Sequence, residues 1–126
     1  MTSPQNQHRL DYVEFAARDV SAAKKFYSEV FGWTFTDYGP DYTSFSDGRL
    51  SGGFRGDPNA RAHTNPLIVI YTGDLERTQG AVLAAGGIVV VATHDFPGGR
   101  RFHFADPNGL ELAAWSDRQA DGSAIS

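Results

Sequence analysis

Six side chains in this 126-residue sequence have the types and spacing to move protons on a small molecule: Tyr12, Glu14, Arg101, His103, Glu111 and Trp115. Arg101 and His103 lie two residues apart, so any strand that holds them presents both on one face. Histidine trades a proton near neutral pH, and a carboxylate such as Glu111 beside it can orient the ring. A guanidinium draws carboxylate, phosphate or enolate oxygens. Glu14 would act as a second base, and Tyr12 and Trp115 would supply rings against a ligand. His8, His63 and His94 fall in a tail or in loops and read as ordinary surface histidines.

Composition narrows the field. Hydrophobic residues make up 40% and charged residues 21%, which is ordinary for one globular domain. The net charge of −4 gives no reason to expect nucleic acid. There is no cysteine, so disulfides, thiolate nucleophiles and cysteine-bound zinc are excluded. The first nine residues lack the apolar stretch of a signal peptide, and no run approaches the roughly 20 apolar residues that span a bilayer. A cytoplasmic, membrane-free protein is expected.

An internal repeat supplies the elements that position these residues. Asp19-Val20 precedes a helical stretch ending at Gly32, and Asp74-Leu75 precedes another ending at Gly86-Gly87. Asp19, Val20 and Gly32 map onto Asp74, Leu75 and Gly87 at one constant offset. The two aspartates read as N-caps and the glycines as left-handed helix ends. Val20, Ala23, Phe26, Val30 and Phe31 form the apolar stripe of the first helix, with Phe26 and the following Trp33 expected in the core. Leu75, Thr78, Val82 and Ala85 form a weaker second stripe. Strands are expected near 11–17, 33–38, 42–46, 50–55, 67–72, 88–92, 100–105 and 110–115. The result is two βαβββ modules, 9–56 and 67–117, joined by a linker at 57–66 and flanked by loose tails at 1–8 and 118–126.

Alternation sorts the strands into faces. Val13, Phe15 and Ala17, then Leu50, Gly52 and Phe54, then Phe102 and Phe104, then Leu110, Leu112 and Ala114 are expected under the helices. The helix-free face therefore carries Tyr12, Glu14, Arg101, His103, Glu111 and Trp115. The Asp106-Pro107-Asn108-Gly109 turn suits a three-residue hairpin loop. Such a loop sets His103 opposite Ala113 with Glu111 diagonal to it, and Arg101 opposite Trp115 within cation–π reach. A polar sheet face can also simply be wet, and Arg101 with Glu111 can be no more than a surface ion pair.

The runs Asp11-Tyr-Val-Glu-Phe, Asp19-Val-Ser-Ala-Ala-Lys-Lys-Phe-Tyr-Ser-Glu-Val-Phe-Gly-Trp and Phe104-Ala-Asp-Pro-Asn-Gly-Leu-Glu-Leu resemble the vicinal oxygen chelate superfamily, the glyoxalase/bleomycin-resistance/dioxygenase group. The resemblance covers residues 9–117. It implies an α+β fold in which two βαβββ modules form a curled eight-stranded mixed sheet around a cleft, with helices on the outer face, usually as a homodimer. Metalloenzymes of the superfamily hold a divalent ion with His or Glu at four strand positions. Transferred here, those positions fall on Tyr12, Gly53, Leu67 or Ile68, and Ala113. Gly, Ala, Leu and Ile offer no side-chain donor, and neutral tyrosine is a poor ligand for these ions. No metal or other cofactor is therefore expected. Glu14, His103 and Glu111 are the kind of set that binds iron or manganese, but none occupies a position the resemblance marks.

Two functions follow from this reading. One is a metal-independent isomerase or lyase acting on a small oxygenated acid through His103, Glu111 and Glu14, with Tyr12, Arg101 and Trp115 binding the ligand. The other is binding without turnover, as in the bleomycin-sequestering members, with the aromatics and carboxylates holding a flat ligand. Both make a small molecule the partner.

Overall fold

The computed structural model describes residues 4–60 and 66–125. The chain divides into two compact units, residues 12–68, and residues 1–11 together with 69–126. Residues 61–65 of the expected linker, His63 among them, lie outside the described residues.

The first unit is built from β1 (Leu10–Ala17), α1 (Val20–Phe31), β2 (Thr34–Asp37), β3 (Tyr42–Ser46) and β4 (Ser51–Gly56). Its strands run in the order β2-β3-β4-β1, antiparallel except for the parallel pair β4/β1. The Asp19 side chain accepts the Ala22 N–H at 2.9 Å and starts α1, and Gly32 ends it at φ 73°. Tyr27 carries the inward surface of the helix, stacking on Trp33 and Phe54 with ring centroids 4.7 and 5.4 Å away. Phe15 and Phe45 complete that aromatic core, at 5.3 Å from Phe54 and 4.5 Å from Trp33. The expected place of Phe26 in the core is corrected: it is 54% exposed, beside exposed Val30 and Phe31. The inward row is Val20, Ala23 and Tyr27, so the stripe is turned by about one residue, and the tyrosine ring does the packing.

The second unit repeats the plan with β5 (Leu67–Tyr71), α2 (Leu75–Ala84), β6 (Ile88–Phe96), β7 (Gly99–Ala105) and β8 (Glu111–Ser116). Its order is β5-β8-β7-β6, with β5/β8 parallel and the other pairs antiparallel. Asp74 caps α2 by accepting from the Arg77 N–H at 3.1 Å. Helix α2 is shorter than α1, so the glycine in the left-handed region is Gly86, at φ 95°, rather than Gly87. The core gathers Leu75, Phe102 and Ala114, with Val82, Val89 and Phe104 against them. Leu110 is 62% exposed and Leu50 is 40% exposed, which corrects their placement under the helices. Both stand in the turn before a strand, where alternation has not begun.

The two βαβββ modules and the α+β class are those expected from the sequence. Described residues in both expected tails form hydrogen bonds. Gln7 donates to Thr72 Oγ1 and accepts from the Gly73 N–H, and Arg118 pairs with Ala124 across a tight turn.

Candidate functional site

In the second unit the loop after β7 closes as the turn residues dictate. Asp106 N–H donates to Leu110 O at 3.0 Å, Asp106 Oδ1 accepts from Asn108 N–H and Leu110 N–H, and Gly109 takes φ 86°. That loop sets the register His103↔Ala113, Arg101↔Trp115 and Ala105↔Glu111, as expected. Phe102 is fully buried in the core beneath α2, so its neighbours Arg101 and His103 project from the other face.

His103 Nδ1 lies 2.9 Å from Glu111 Oε2, and the His103 side chain is only 12% exposed. A carboxylate accepts hydrogen bonds and does not donate them, so Nδ1 carries a proton, and in the neutral form of the ring Nε2 is the nitrogen with the lone pair. That is the arrangement a general base requires. Sequence reasoning missed His94, whose ring centroid lies 6.0 Å from that of His103. It was read as a loop residue, but β6 runs on to Phe96 through two register shifts and carries His94 opposite Arg101. Arg101 stacks its guanidinium over Phe96, at 5.9 Å from the ring centroid. Trp115 packs edge-on to Tyr71 and donates its indole N–H to Asp11 Oδ2 at 3.0 Å.

Tyr12 and Glu14 belong to the first unit, on the face of β1 away from Phe15. Glu14 is buried, at 6% exposure; its Oε1 accepts from Tyr42 Oη at 3.2 Å and its Oε2 lies 3.6 Å from Arg55 Nε. Tyr42 Oη and Tyr12 Oη are 2.6 Å apart. Burial, the Tyr12 hydroxyl and the Glu14 charge together push the Tyr42 phenol well above the usual tyrosine range, so it stays protonated. Tyr42 and Arg55 were absent from the sequence reading. Alternation along β3, with Thr43 and Phe45 buried, is the signal that places Tyr42 and Ser44 on the same face as Tyr12.

The marked metal positions do not suit an ion. A β-carbon at Gly53 would collide with the hydroxyl of Tyr42 and come within 2.6 Å of that of Tyr12. Ala113 is fully buried, and β5 brings Val69 alongside it, which puts Leu67 rather than Ile68 on that face. Phenol, hydrogen, methyl and isobutyl groups leave a divalent cation without a ligand set. Among the described residues no three His, Asp or Glu side chains gather into a cluster able to hold a metal, and no helix is long and apolar enough to cross a membrane. A cavity of about 590 Å³ opens on the other face of the second unit, beneath α2 against Ile70, Phe104 and Ala114. It is a largely apolar gap lined by small residues such as Ala81 of α2 and Ala85 at the end of that helix, and the His103 dyad is not part of it.

The chain is 32% identical to the anthracycline biosynthesis protein DauV of Streptomyces sp. (strain C5), over 90% of its own length and 49% of that protein, so it spans about half of that relative. Among solved structures, a glyoxalase/bleomycin resistance protein/dioxygenase superfamily member from Vibrio splendidus 12B01 superposes with a TM-score of 0.68 at 14% identity, over 88% of this chain and 100% of that one. The Mn(II)-bound glyoxalase from Novosphingobium aromaticivorans gives a TM-score of 0.64 at 23% identity, over 89% of this chain and 40% of that one. Both likenesses concern the fold. The sequence profile of one family matches residues 9–113, most of the chain and both of its repeats. The protein belongs to the Glyoxalase/Bleomycin resistance protein/Dioxygenase superfamily.

Proposed function

We propose that the helix-free face of the second unit binds a small oxygenated acid and performs metal-independent proton transfer on it. The observation that carries this reading is the 2.9 Å bond from His103 Nδ1 to Glu111, which orients the ring and leaves Nε2 as acceptor. The step is abstraction of a proton from a carbon next to a carbonyl or carboxylate. The C–H bond breaks, the proton passes to His103 Nε2, and the electron pair moves onto the substrate oxygen. Arg101, two residues along β7, supplies the charge that stabilises the enolate. Returning a proton to the opposite face of that carbon, or to a neighbouring carbon, makes the reaction an isomerisation, and expelling a β-substituent makes it a lyase reaction. Trp115 contributes a ring against the ligand.

The test is deuterium exchange in D₂O, followed by proton NMR across a panel of 2-oxo and 2-hydroxy acids. The protein should wash deuterium into the carbon acid it recognises. His103→Ala should abolish exchange, and Glu111→Gln should slow it by on the order of 100-fold. Exchange unchanged in His103→Ala would remove the assignment.

A second reading, binding without turnover, is favoured by the rings on the same face: Trp115 lies 5.4 Å from Tyr71 and 6.1 Å from Phe96 between centroids. A similarity to proteins named for anthracycline biosynthesis agrees with an aromatic ligand. Saturable binding of an aromatic compound with no exchange in any acid would favour it. A cytoplasmic homodimer completes the proposal.

A further inference from the structure

Strand β6 holds a histidine that the proton-transfer reading leaves aside, and a bulge decides where it stands. Val91 pairs with His103, and His94 pairs with Arg101. Three steps along β6 therefore match two along β7, and the extra residue breaks the alternation between faces. Regular pairing would send the third residue after Val91 to the face beneath α2. The bulge returns His94 to the face of His103 and Arg101, and the two imidazole centroids stand 6.0 Å apart.

The tautomer of each ring is set by what its Nδ1 meets. His103 Nδ1 donates to Glu111 Oε2 at 2.9 Å. His94 Nδ1 lies 3.0 Å from the carbonyl oxygen of Ala92, which can only accept. In the neutral form of both rings the lone pair is therefore on Nε2. Glu111 lies on β8, so His103 Nε2 is turned away from that strand; β6 and His94 lie on the opposite side of β7. A histidine that ligates a metal donates its other ring N–H to a carboxylate or a backbone carbonyl, which fixes the ring and raises its basicity. One ring of this pair has the carboxylate and the other has the carbonyl. The spacing fits as well. Metal–nitrogen bonds of about 2.0–2.1 Å put each ring centroid about 3 Å from the ion, so two rings sharing one ion lie about 5–6 Å apart. Arg101 brings positive charge to this face, with its guanidinium over Phe96, and the Glu111 carboxylate offsets it.

We propose that His94 and His103 form a two-histidine site for a borderline divalent ion, copper, nickel or zinc, bound through both Nε2 atoms. Water or an oxygen of a small molecule fills the remaining positions. Imidazole suits these ions, whereas magnesium and calcium prefer oxygen. The site stands on β6 and β7, apart from the four positions marked by the family resemblance, which fall on β1, β4, β5 and β8. Where His103 acts as a base, an ion there takes the lone pair that the step uses; the binding itself does not depend on that reading.

The experiment is calorimetric titration of the full chain, untagged and stripped of metal, with the chlorides of copper(II), nickel(II), zinc(II) and magnesium. At about pH 7.5 the imidazoles are largely neutral. One copper ion should bind per chain, more tightly than nickel or zinc, and magnesium should not bind. Glu111→Gln should weaken copper by about tenfold, and His94→Asn by more than that. The paired substitution of the other two histidines, His8→Asn with His63→Asn, should leave the affinity unchanged. The electron paramagnetic resonance spectrum of the bound copper should show splitting from two imidazole nitrogens, and from one in His94→Asn. Unchanged affinity in His94→Asn, loss of binding in the His8 and His63 variant, magnesium bound as tightly as copper, or no ion bound at all would overturn the proposal.

Discussion

A β-carbon at position 53 has nowhere to go while the hydroxyls of Tyr42 and Tyr12 stand over it. Gly53→Ala should therefore separate the tyrosine pair or push β3 from β4, costing about 1–3 kcal/mol as overpacking does. Chemical denaturation of the variant checks this, and a loss within error of zero would show that the pair yields freely. The need for glycine here comes from close approach of neighbouring side chains rather than from backbone dihedrals. The same scale shows what could be read before the fold was known. His103, Glu111 and Arg101 were identified because a hairpin loop fixes their register over a few residues. Tyr42 was missed because its importance depends on Glu14 and Tyr12, which reach it from a strand far away in sequence.

Among the elements, α2 is tied to β7 by one ion pair. Arg100 donates from Nη1 and Nη2 to Glu76 Oε2 and Oε1, at 2.6 and 3.1 Å, and from Nε to Arg118 O, so the helix start, β7 and the C-terminal turn share one guanidinium. The hydrogen bonds from Arg100 hold the Glu76 carboxyl below its ordinary value of 4.5, and Glu76 in turn raises Arg100. A carboxyl whose pKa is lower folded than unfolded adds stability that is fully present above the unfolded value. That stability is lost as pH falls through the folded one. Glu76→Gln should flatten the acid limb of a plot of stability against pH, below about pH 4.5. With the Glu76 side chain 51% exposed, the loss at neutral pH should be about 1 kcal/mol or less. An acid limb identical to that of the parent protein would refute the assignment. Element positions were legible where caps and turns punctuate the chain. They were least legible at β6, whose register shifts break the two-residue period and extend the strand four residues beyond the expected end. The Phe26 and Tyr27 exchange has a similar origin: hydropathy ranks phenylalanine above tyrosine, whereas packing weighs ring direction.

At the scale of the whole molecule, exposed Phe26, Val30 and Phe31 on one helix leave more apolar surface than isolated exposed residues would account for. Pairing with a second copy would cover such surface. Light scattering on a size-exclusion column should give twice the 13.7 kDa chain mass. A monomer mass across a hundredfold range of concentration would count against the homodimer. The internal repeat carries the overall plan at this scale, since one βαβββ pattern written twice predicts two like units without any knowledge of side-chain contacts.

The crowding over Gly53 also bears on the order in which such a chain could change. A carboxylate side chain placed there first would meet the tyrosine hydroxyls and cost stability before it gained an ion to bind. Removing the Tyr42 ring first would open the space, at the expense of the Glu14 hydrogen bond. Single steps toward a metal site thus pass through weakened intermediates, and the stability lost in Gly53→Ala is the first measure of that barrier. The glycine works as a ratchet: easy to keep once the tyrosines are in place, and hard to leave one substitution at a time.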